Sequence, residues 1–154
     1  MKIRAMLLGL AMIGTTAITA GTALAKQVPG PHPHYLRALS DLRMARAYLH
    51  DNWAWEPVRK DDDHAIREIN AAIDEIKKAS IEDGKDLDDH PAIDTRLTPQ
   101  NRFAKANELL WAAHQNLAKA EDVPQARGLR DRAIGHVDAA HQIVDQAQRT
   151  AQWQ

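Results

Sequence analysis

Eight histidines carry most of the chemistry this chain could do: His32, His34, His50, His64, His90, His114, His136 and His141. No cysteine accompanies them. Imidazole is the commonest metal ligand where thiolates are missing, so the expected chemistry is coordination of a divalent transition ion, Cu(II) or Zn(II). His64 has Glu68 four residues on, a spacing that sets two ligands on one face of a helix. A second concentration of donors, Asp86, Asp88, Asp89, His90 and Asp94, follows Gly84. It lacks the alternating Asp order and closing Glu of an EF-hand loop.

Other chemistries are excluded by what is missing. Glu-x-x-His, the di-iron signature of carboxylate bundles, does not occur. Neither do His-Glu-x-x-His, Gly-x-Ser-x-Gly, a Walker loop or a dinucleotide-binding glycine pattern. Without cysteine there is no thiol nucleophile and no covalent haem attachment. A Met44/His141 haem pair is disfavoured because Met44 falls on the outer face of its heptad. The expectation is therefore a protein that is not an enzyme and holds no haem and no nucleotide.

The elements that must position these donors are helices. Met1-Lys2-Ile3-Arg4 is a basic start, Ala5 to about Ala20 is apolar, and Ala23-Leu24-Ala25 has the small-x-small cleavage pattern. Residues 1–25 are thus expected to be a cleaved signal peptide, giving a periplasmic or secreted chain from Lys26 with no membrane anchor. Cleavage takes Lys2 and Arg4 from the 20 basic residues, leaving 18 against 21 acidic. That balance offers nucleic acid no attraction. Residues 26–33 form a Pro/Gly-rich leader. Beyond it, apolar residues recur at steps of three and four over 34–52, 61–83, 99–120 and 124–151. Thr98-Pro99 is an N-cap followed by a first-turn proline, and Gly84 suits the left-handed position past a helix end.

These segments form two copies of one unit. A shift of 68 residues lays Leu42 on Leu110, Ala45 on Ala113, Arg59 on Arg127, Asp63 on Asp131 and Ala65-Ile66 on Ala133-Ile134, with no gap. One hairpin cannot bury its own stripe, whereas two packed face to face can. The expected fold is an all-α, up-down four-helix bundle over 34–151: hairpin 34–83, acidic loop 84–98 and hairpin 99–151. Antiparallel register puts His50 level with His64, and His114 level with His136. The repeat aligns His141 with Ile73, so an imidazole stands where the first copy has a core aliphatic.

The expected metal-ligating residues are His50, His64, Glu68, His114, His136 and His141. His32, His34, Asp89 and His90 form a secondary set, gathered if leader and acidic loop share one end of the bundle. The tandem amphipathic helices and the segment Ala133-Ile134-Gly135-His136-Val137-Asp138-Ala139-Ala140-His141 resemble the small periplasmic histidine-bearing metal-binding proteins. That resemblance implies a four-helix bundle binding copper and other divalent ions weakly and at several points. Leu97-Thr98-Pro99-Gln100-Asn101 is similar to the Leu-Thr-x-x-Gln mark of periplasmic stress-chaperone and metal-resistance proteins, with Asn101 in place of glutamine. The alternative functional expectation is a non-catalytic envelope structural, interaction or chaperone-like protein, its protein partner unspecified. Eight imidazoles titrating near pH 6.5 would also suit a pH sensor.

Overall fold

The computed structural model describes residues 32–50, 56–78, 84–119 and 126–152. The expected signal peptide, Trp53, Trp55, the stretch 79–83 and Trp153 lie outside the described residues. Four helices account for most of what is described: α1 Pro33–His50, α2 Glu56–Lys78, α3 Pro99–Ala118 and α4 Arg127–Gln152. The second helix starts five residues earlier than its apolar stripe. Pro57 sits in its first turn, where a missing N–H costs nothing. Thr98 caps α3 as expected, its hydroxyl accepting from the Asn101 N–H at 3.4 Å, with proline at the first position. Gly84 adopts the left-handed φ of +67°.

The apolar stripes become the core. Tyr35, Ala38, Leu42, Ala45 and Leu49 from α1 are buried with Ala65, Ile69, Ala72 and Ile76 from α2. Phe103, Ala106, Leu110, Ala113 and Leu117 close the core from α3, and Ala133, Val137, Ala140 and Val144 from α4. Each fully buried Leu, Ile, Val or Phe contributes roughly 1.5–3 kcal/mol relative to exposure. These buried positions coincide one for one under the 68-residue shift.

The helices touch side by side as α1–α2, α1–α3, α2–α4 and α3–α4. Asn116 donates to Asp41 across α1–α3, and the Asp94 N–H ahead of α3 donates to the Tyr48 hydroxyl near the end of α1. Those helices therefore run antiparallel. The pairs Glu68–His136 and Glu75–Arg132 show the same for α2–α4, and His114–Asp138 with Asn107–Gln148 for α3–α4. The expected all-α four-helix bundle of two hairpins is the fold observed, with each helix antiparallel to those it packs against.

The link between hairpins takes an unexpected path. Because α3 packs antiparallel to α1, the chain leaving α2 must travel the length of the bundle before α3 can begin. Residues 84–98 do so along α1. The Lys85 carbonyl accepts from Arg43 and from Lys77, both at 3.2 Å, so it sits over the groove between α1 and α2. Arg46 holds Asp88 at 2.6 Å, and Arg102 donates to the carbonyls of Thr95 and Leu97. Leu87, Ile93 and Leu97 pack against the core from this side. The segment is a strapped crossover rather than a loop at one end. Its burial of Arg43 and Tyr48 explains why α1 is covered on more than one face.

Candidate functional site

Two histidine groups emerge, one on each side of α4. On the first, the Glu68 carboxylate lies between two imidazoles from different helices. His136 Nδ1 donates to Oε2 at 2.7 Å, and His64 Nε2 stands 3.6 Å from Oε1. All three side chains are partly exposed, at 36 % for His136, 24 % for Glu68 and 52 % for His64. The i, i+4 step on α2 brings His64 over Glu68, and the α2–α4 register brings His136 across. This unites three of the six expected ligands.

That location has a geometric meaning. Glu68 and His136 are equivalent under the 68-residue repeat, and each is the other's partner. Nearby, Glu75 accepts from Arg132, the equivalent of His64, while His64 shares a cleft with Ile143, the equivalent of Glu75. The two hairpins are thus related by a pseudo-two-fold axis that passes close to the Glu68–His136 bond.

The second group lies in a cleft of about 150 Å³ between α3 and α4, lined by Leu110, Trp111, His114, Asp138, His141 and Gln142. His114 Nδ1 donates to Asp138 at 2.7 Å, which leaves Nε2 on the open side. Trp111 is 57 % exposed and stacks on the His114 ring, centroids 5.6 Å apart and planes 11° from parallel. His114 and His136 are level, as the register implied, but face different neighbours. His141 is not a core residue: it is partly exposed at the cleft, whereas its equivalent Ile73 is fully buried. Spacing alone missed Trp111 and Asp138. The shift that aligns Trp111 with Arg43 was the available signal, because it marks a large aromatic on a polar position.

The remaining candidates stand apart. His50 is exposed on the last residue of α1 and lines neither cleft. His32 and His34 begin α1, whereas Lys85, Asp88 and Asp94 meet Arg43, Arg46 and Tyr48. At 1.5 Å per residue that separation is roughly 14–21 Å, so the crossover does not gather the secondary set at one end. Asp89 and His90 are instead used in the crossover's own turn. The Asp86 N–H donates to Asp89, and His90 Nδ1 donates to the Pro91 carbonyl at 2.8 Å. His32 packs edge-on against Tyr35.

Carboxylates near these groups divide by environment. Burial pushes Asp62 up to about 7, reinforced by the charges of Asp61 and Asp63. Burial also raises Asp41 to about 6, against the lowering effects of the Asn116 hydrogen bond and the Arg37 charge. Hydrogen bonds from Lys78 and Arg132 hold Glu75 below the usual range.

Among the described residues, no three His, Asp or Glu side chains already converge on one point suited to an ion. Among the same residues, no helix is long and apolar enough to cross a membrane. No family model, curated protein or solved structure matches this chain.

Proposed function

We propose that this chain is an exported, non-catalytic binding protein that takes up a divalent transition ion, Cu(II) or Zn(II), weakly through surface histidines. The observation that carries the reading is the Glu68 carboxylate bracketed by His136 at 2.7 Å and His64 at 3.6 Å. A hydrogen bond now joins His136 to Glu68, with the His64 ring 3.6 Å from the same carboxylate, and an ion displaces the bridging proton when the side chains turn inward. Two imidazoles and a carboxylate suit Cu(II) above Zn(II) in the usual affinity order. Partial exposure and the need to displace protons keep the affinity modest and make it fall with pH. Export rests on the basic, apolar and small-residue sequence of Met1–Ala25.

Calorimetric titration of the chain from Lys26 tests the reading. One saturable Cu(II) event is expected, lost in the His64→Ala/His136→Ala double variant. Absence of saturable Cu(II) or Zn(II) binding tighter than about 100 μM overturns it. Mass determination of the exported protein tests the leader, with Lys26 expected as first residue.

A further inference from the structure

The crossover covers one of two equivalent grooves and leaves the other open. On the first hairpin, the groove between α1 and α2 is roofed by Lys85, Leu87 and Asp88. The Lys85 carbonyl is held from both walls by Arg43 and Lys77, Leu87 packs on the core, and Asp88 pairs with Arg46. Under the 68-residue repeat, Arg43 corresponds to Trp111, Arg46 to His114 and Ile73 to His141. Those three residues line the open cleft between α3 and α4. Arg43 and Ile73 are buried, and Trp111 is 57 % exposed. Among the described residues, no segment roofs the second groove.

We propose that this cleft docks an extended peptide segment of a partner protein, with an aliphatic residue followed by an acidic one. The first hairpin supplies the precedent: Leu87 packs on the core, and Asp88 next to it pairs with Arg46 from the solvent side, its side chain 86 % exposed. A volume near 150 Å³ holds one aliphatic side chain, since a cavity of that size accepts benzene. Leu110 and the Trp111 indole supply its apolar wall, a large rigid surface of the type that anchors interfaces. The acidic residue meets His114 in its doubly protonated form, with Nδ1 donating to Asp138 and Nε2 to the incoming carboxylate. His141 stands on the same rim and adds a second imidazole. Trp111 takes the place of Arg43, so the partner needs no carbonyl poised for a guanidinium. This site is independent of the Glu68 group and of any metal.

The test is titration of the ¹⁵N-labelled chain, in excess chelator, with a synthetic peptide of residues 84–94, Gly-Lys-Asp-Leu-Asp-Asp-His-Pro-Ala-Ile-Asp. Saturable shifts of the Trp111 indole and of His114 and His141 are expected. Trp111→Ala and His141→Ala, both at partly or fully exposed positions, weaken the peptide about fivefold or more while the far-ultraviolet spectrum stays unchanged. A peptide with the Leu and following Asp both replaced by Ala weakens to the same degree. No saturable shift up to about 5 mM overturns the proposal. So does binding that is indifferent to Trp111→Ala, or that survives the peptide changes.

Discussion

Asp62 is the sharpest place to perturb this molecule. It lies on the core face of α2, 2 % exposed, and neither carboxylate oxygen has a hydrogen-bond partner among the described residues. Burial, with Asp61 and Asp63 alongside, lifts its pKa from 3.8 to about 7. For an acid whose folded pKa is raised, stability is greatest below the unfolded value and is lost as pH climbs through the folded one. The window is therefore from about pH 4 to pH 7. The full shift corresponds to about 4 kcal/mol, of which about 3 falls between pH 4.5 and pH 8. Water entry and relaxation around the carboxylate halve this, to roughly 1.5 kcal/mol. Asp62→Asn removes the charge and keeps the shape. Urea denaturation at pH 4.5 and pH 8 should show the variant gaining on the parent by about that amount at the higher pH, a shift of several °C in Tm. A stability difference that does not change with pH, or a variant that loses ground at pH 8, refutes the reasoning.

Arg43→Ala removes the guanidinium that holds the Lys85 carbonyl and empties a buried site. It should cost about 2–4 kcal/mol and speed tryptic cleavage at Lys85, read by mass spectrometry of timed digests. Leu42→Ala and Leu110→Ala, equivalent under the repeat and both fully buried, should each cost about 2–5 kcal/mol in urea denaturation. Asp41→Asn should flatten stability between about pH 4 and pH 6, because burial raises Asp41 to about 6 and the Asn116 amide can still bond the new carbonyl oxygen. Glu68→His places a third imidazole beside His64 and His136. Calorimetry should show Cu(II) affinity rising about tenfold.

The helical stripes were open to reading because burial on one face imposes a period of three to four, and along 99–118 only the charge of Arg102 falls among the buried residues. The cap at Thr98 was equally legible, since a hydroxyl before a proline has few other uses. The path of the crossover was not. Nothing in Gly84–Thr98 states whether the chain turns back at one end or climbs. That choice was made by the contacts of Arg43, Arg46 and Tyr48, each a polar residue on a nominally outer position of α1. Asp138 escaped notice for a related reason. Register fixed the level of His114 on α4 but not the azimuth, and the angle between residues 136 and 138 separates two different faces. Within the site set, local spacing found Glu68 with His64, and only tertiary packing added His136.

The duplication bears on the histidines differently once the axis is known. No histidine position is shared by the two copies, and taken alone that speaks against an inherited ligand set. A residue on a two-fold axis, however, faces its own equivalent. Identical copies there would set two carboxylates or two imidazoliums against each other, a like-charge contact that costs stability. Divergence to glutamate in one copy and histidine in the other removes the repulsion and makes a hydrogen bond of 2.7 Å. For an ionisable residue at this position, a difference between the two halves is thus what packing demands. The same argument does not reach the two grooves, which lie off the axis and meet different surroundings. There one groove is roofed by the crossover, and among the described residues nothing roofs the other. Arg43 suits a carbonyl laid across it, and Trp111 suits an apolar side chain arriving from outside. The difference between these two residues follows from coverage, and it is the reason the open groove merits a search for its occupant.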